Sequence, residues 1–163
     1  MSLHTDISTQ LVWALANTEA QFAGETLIQP MHLFLGILKV ADPKTSTLLL
    51  DTKMSEEERK SLSTLANQIR HYLEMSVVEI TYLRRSLRAQ LRTGKPKPRE
   101  IHMLHRSDES RDVFRVAGGR VVQSDGAALT ALHLTESLFE TGYVSLDSIK
   151  RLSVRPSSKG VGE

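Results

Sequence analysis

The sequence predicts an all-α protein built from two copies of one helical unit, and three observations carry that prediction. Apolar residues recur at spacings of three and four along most of the chain, which gathers them on single helical faces. Proline, glycine and capping side chains interrupt those runs where helices start and stop. The chain also matches itself: shifted by 101 positions, residues 9–38 lie on 110–139 without a gap.

The first helix begins at Thr5 or Asp6, either of which can accept the free backbone N–H groups of a first turn. Val12, Ala16 and Ala20, with Trp13 beside them, form its core face, and Gly24 is a natural stop because it adopts a left-handed conformation without steric cost. A second helix runs from about Pro30 to Lys39, with proline in the first turn, where a missing N–H costs nothing. Asp42-Pro43 breaks the chain, and Thr45 to Leu50 reads as a third, shorter helix.

From Met54 to about Arg92 the pattern changes. Glu56, Glu57 and Glu58 crowd the start and Arg84, Arg85, Arg88 and Arg92 the end, a polarity that complements the helix dipole. Leu62, Leu65, Ile69, Leu73, Val77, Ile80, Leu83, Leu87 and Leu91 carry the apolar spacing, so the stretch is either one long helix or two arms of a hairpin. The β-branched run after Met75-Ser76 marks where a break would fall. Arg92 to Glu100 reads as a loop, Ser107 caps a new helix with Asp108 and Glu109 in its first turn, and a short helix follows from Val144. Residues 154–163 read as a flexible tail or linker.

The internal match is one of core positions, caps and breaks together. Val12 meets Val113, Ala16 meets Ala117, His32 meets His133 and Leu33 meets Leu134; Trp13 falls on Phe114, and the caps Asp6 and Ser107 coincide. Ile28-Gln29-Pro30-Met31-His32-Leu33 followed by Leu35 and Leu38 closely resembles the signature of the Clp repeat, and Leu129-Thr130-Ala131-Leu132-His133-Leu134 is similar. Two such repeats make the N-terminal domain of Clp-type AAA+ unfoldases and disaggregases.

The resemblance implies a pseudo-twofold bundle of about eight helices, with repeat one at about 5–53, an insertion with a long helix at about 54–100, and repeat two at about 101–153. It implies a non-catalytic domain that recruits protein substrates or an adaptor to an ATP-dependent unfoldase or protease, its AAA+ ATPase in cis or in trans. An apolar groove between the repeats would hold the partner with few polar contacts and little dependence on salt. Two departures qualify this. The copies lie farther apart than in the family, and Met31 and Leu132 stand where some members carry a glutamate that recognises arginine-modified substrates, so that activity is not carried over. The rival reading is a stand-alone helical adaptor or scaffold acting through the inserted basic helix.

Composition agrees with a globular chain: of 163 residues, 40% are hydrophobic and 25% charged, enough apolar side chain for a core. The absence of cysteine excludes disulfides and thiol chemistry and fits a cytoplasmic location. No apolar run approaches the ~20 residues of a membrane span, no signal peptide is visible, and no phosphate-cradling loop or catalytic serine motif stands out. No cofactor and no metal are expected. His102 and His105 alone have a ligand-like separation, but without carboxylate company. For His32 and His133 the simple account is a ring packed or hydrogen-bonded to neighbouring backbone.

Two surfaces remain. Arg84, Arg85, Arg88 and Arg92, continued by Lys95, Lys97 and Arg99, are ordinarily a solvated helix end, with an acidic partner protein as the functional alternative. Nucleic acid is disfavoured because only Tyr82 is near to stack on a base. Leu11, Leu15 and Phe22 form a second apolar stripe on the first helix, whereas their counterparts are Asp112, Val116 and Gln123. The inserted helix is the favoured cover, and otherwise these three are a docking face.

Overall fold

The computed structural model describes residues 3–44, 54–92 and 103–153. Among these the chain forms seven helices and one pair of two-residue strands: α1 (Ile7–Phe22), β1 (Leu27–Ile28), α2 (Pro30–Ala41), α3 (Glu56–Leu73), α4 (Val77–Leu91), β2 (His105–Arg106), α5 (Asp108–Gln123), α6 (Ala131–Glu140) and α7 (Leu146–Ser153). The all-α class holds. The short helix expected at Thr45 to Leu50, most of the Arg92 to Glu100 loop and the tail at 154–163 lie outside the described residues.

The caps sit where the sequence puts them. Asp6 accepts from the Thr9 N–H at 3.0 Å, and Ser107 accepts from the Ser110 N–H at 3.1 Å. Gly24 stops α1 with φ 78°. The short last helix starts at Leu146 rather than Val144.

One expectation needs correcting. The long inserted helix is two helices. Glu74 takes a left-handed conformation at the end of α3, and Ser76 starts α4 by exchanging hydrogen bonds with Glu79 in a capping box. The cap and the β-branched run behind it favour restarting the helix over continuing it, and α3 and α4 each pack on α2.

The two-residue strands were not anticipated, and they reveal the symmetry. Ile28 lies opposite Arg106 in the parallel pair β1–β2, and Thr5 forms a parallel bridge to Leu129. These are the same contact made twice, each residue exchanged for its partner at the 101-residue offset. The hydrogen bonds repeat likewise. The Ser107 N–H and Ser110 hydroxyl donate to the Ile28 carbonyl at 3.0 and 2.6 Å; the Asp6 N–H and Thr9 hydroxyl donate to the Leu129 carbonyl at 3.0 and 2.6 Å. Each repeat thus lends the extended residues before its first helix to the other, the arrangement of a local twofold.

The core is continuous through both repeats and the two inserted helices. At its centre α2 buries Leu33, Phe34, Leu35, Ile37 and Leu38, each worth roughly 1.5–3 kcal/mol on removal from water. Gly36 lets α2 press on α1: a Cβ there would lie 2.7 Å from the Val12 carbonyl oxygen. Phe34 and Phe139 meet edge to face across the repeats, with ring centres 5.9 Å apart.

Candidate functional site

The repeat histidines are structural. The Nδ1 of His32 accepts from the Gln29 N–H at 2.9 Å, and the Nδ1 of His133 accepts from the Thr130 N–H at 3.1 Å. Each ring, three residues into its helix, satisfies a backbone donor that the helix itself cannot. Burial holds the His32 pKa below its ordinary value, against the opposing pull of Glu25 and Glu19, and so keeps the ring neutral and able to accept. His102 lies outside the described residues, and among those described no group of three or more His, Cys, Asp or Glu gathers to hold a metal.

The arginines of α4 divide. Arg88 Nε donates to Glu19 at 3.0 Å, and Arg84 lies 3.7 Å from Asp42. Both acids are buried, and Glu19 is bound a second time by Lys39 at 2.6 Å. The Thr81 hydroxyl and the Lys44 N–H also donate to Asp42. Arg84 and Arg88 are therefore internal ties that fasten α4 onto α1 and α2, while Arg85 and Arg92 are exposed. Their spacing of four put the pair on one face; the acids they meet are far away in sequence, so this role was not legible.

The stripe on α1 is covered at one end. The guanidinium groups of Arg88 and Arg92 lie over the Phe22 ring at 4.4 and 4.9 Å, so the end of α4 reaches it. Leu11 and Leu15 are half-buried against the core. Their counterparts Asp112 and Val116 are also half-buried, and Gln123 is exposed.

A groove lies at the seam of the repeats. Trp13 and Phe114, equivalent residues, meet edge to face at 5.8 Å, as a residue and its own copy must when they sit on a twofold axis. Arg106 lies over both rings, 5.2 and 4.7 Å from their centres. Beside them opens a cavity of about 430 Å³ lined by Leu3, Thr5, Arg106, Arg111, Phe114, Arg115, Gly118 and Leu129. Its walls carry three guanidinium groups and no carboxylate. Arg115 forks onto Asp112 in its own helix, with bonds of 3.1 and 2.5 Å that hold the Asp112 carboxyl below its usual range. Arg111 and Asp108 are a looser pair at 3.7 Å, both well exposed. Sequence reasoning missed Arg106, Arg111 and Arg115. The spacing of four between the last two marks one helical face, but Arg106 precedes the cap and joins them only through the strand pairing.

No family model matches the chain, and no curated protein matches it. Among solved structures the chain is similar to one described as "Preliminary structural investigations of a malarial protein secretion system", with a TM-score of 0.51 and 14% identity over 91% of each chain. At that identity the likeness is one of fold alone.

Proposed function

We propose that this chain is a non-catalytic protein-binding domain that recruits substrates or adaptor proteins to a Clp-type ATP-dependent unfoldase or protease, the AAA+ ATPase lying in cis or in trans. The observation that carries the reading is the paired use of the repeat motif. His32 and His133 cap equivalent helices, and the residues ahead of α1 and α5 exchange places across a local twofold. That is what a double Clp repeat requires. The reading brings with it a cytoplasmic location; among the described residues no helix is long and apolar enough to cross a membrane. The rival, an adaptor or scaffold acting through the basic arm, is weakened because Arg84 and Arg88 are already engaged by Asp42 and Glu19.

The test is in-cell cross-linking of the tagged chain followed by mass spectrometry of what it holds. Enrichment of a AAA+ unfoldase subunit, or AAA+ modules continuing the native chain, is the expected result. A native chain without such modules that also enriches no AAA+ protein overturns the reading.

A further inference from the structure

The repeats differ at one place where the difference opens a site. In the first repeat Asn17 reaches across and its Oδ1 accepts from the Leu104 N–H at 2.8 Å, and Leu104 is 9% exposed. The equivalents in the second repeat are Gly118 and Leu3. Glycine has no amide to offer, and Leu3 is left 38% exposed beside it. The same exchange turns Gln10 and Ala14 into Arg111 and Arg115. One seam is therefore bridged by a hydrogen bond, and the other is open, apolar at its floor and cationic at its rim.

We propose that the open seam binds an extended, acidic segment of a client or adaptor polypeptide. An apolar side chain of the segment rests on Leu3, Phe114 and Leu129, and its carboxylates meet Arg106, Arg111 and Arg115. This deepens the recruiting reading and rests on it. Charge complementarity selects the occupant. Among the described residues Arg106 has no carboxylate within ion-pair distance, and its guanidinium lies over the two aromatic rings. A carboxylate arriving at Arg106 gains an unshared cation on a low-dielectric wall. The aromatic rings do not favour a nucleobase: Phe114 and Trp13 meet each other edge to face and Arg106 covers a face of each, so the platform a base would stack on is taken. At the rim the Arg111–Asp108 pair is solvent-exposed and exchanges cheaply for an incoming acid, and Arg115, forked onto half-buried Asp112, is itself 73% exposed.

Fluorescence anisotropy on the full chain tests this with four labelled probes: a short peptide alternating leucine with aspartate, the same with glutamine, the same with lysine, and a short oligothymidylate. The aspartate peptide is expected to bind about tenfold or more tighter than the other probes and to weaken as salt rises. Arg111→Glu with Arg115→Glu should abolish that preference, and Gly118→Asn, which fills the seam as Asn17 does, should weaken aspartate-peptide binding with all three arginines intact. Circular dichroism and the melting temperature report whether each variant is folded. Should one fail to fold, the other and the probe series on the unchanged chain still decide. Equal binding of the aspartate and glutamine peptides, or no peptide binding at all, overturns the inference but leaves the recruiting reading to its own cross-linking test. Tighter binding of the oligothymidylate, lost in the double reversal, overturns it in favour of phosphate.

Discussion

In the first repeat α2 buries ten of its twelve residues; its counterpart α6 buries five of ten. The same inequality runs through their ion pairs. Glu19 on α1 meets Lys39 on α2, and at the equivalent positions Arg120 on α5 meets Glu140 on α6, the charges exchanged. Geometry is conserved and polarity reversed, which is what a bond between two fixed positions allows. The surroundings are not conserved. Arg88 arrives from α4 as a second cation on Glu19, whose side chain is 1% exposed, whereas Arg120 shares Glu136 and Glu140 at the surface. The inserted helices make the difference: both α3 and α4 pack on α2, while α6 is reached by α3, where Tyr72 meets Phe139. One backbone plan thus yields a fully enclosed helix in one copy and a less covered one in the other.

The sharpest way to break this comparison is to remove the acid from each pair. Glu19→Ala leaves Lys39 and Arg88 without their buried partner and should cost about 3 kcal/mol, since an uncompensated charge near the core is expensive. Glu140→Ala should cost less than about 1 kcal/mol, as exposed pairs do. Urea unfolding of the two variants measures both, and equal losses would mean that α4 does not set the environment of Glu19.

A smaller effect is expected where the helices touch. Gly36→Ala places a methyl 2.7 Å from the Val12 carbonyl oxygen, a contact with backbone that only a shift of α2 can relieve, and should cost about 2 kcal/mol. Its counterpart Ser137 already carries a side chain, whose hydroxyl donates to the His133 carbonyl at 2.7 Å. Ser137→Ala should cost about 1 kcal/mol from the lost hydrogen bond. Thermal melts of the pair test whether α1 and α2 are the closer-packed of the two helix pairs.

The smallest effect concerns pH. The native pKa of His32 lies below 6.5, its value in the unfolded chain. Above that value both states are neutral and the contribution is fully present. As pH falls through it the unfolded chain takes up a proton first, and stability declines until the buried ring titrates too. The decline should appear as a falling melting temperature as pH drops below about 6.5. His32→Asn, neutral throughout and still able to accept from the Gln29 N–H, should flatten that slope in a series of melts; an unchanged slope would assign it elsewhere.

Much of this architecture was legible. Asp6, Ser107, Pro30 and Gly24 announce helix ends because capping and left-handed turns are local chemistry, satisfied within three or four residues. The repeat was legible because equivalent core positions keep their spacing when identities drift, and the two histidines were legible as structural for the same reason. The break between α3 and α4 was half legible: Ser76 and Glu79 spell a capping box, but only Glu74 turning left-handed decides for two helices over one long one. Of the candidate surfaces, the stripe at Leu11, Leu15 and Phe22 was visible as a pattern, though not the arginines that cover Phe22.

What the sequence by itself determined is therefore everything that depends on neighbours along the chain: helical class, helix ends, duplication and the absence of thiol chemistry. Tertiary structure alone decided which arginines are ties and which line a groove. Arg88 finds Glu19 sixty-nine residues away, and Arg106 finds Trp13 and Phe114 only because the two repeats exchange strands. A charge's role is set by the burial and the partner it meets, and both come from contacts between segments that no local pattern encodes.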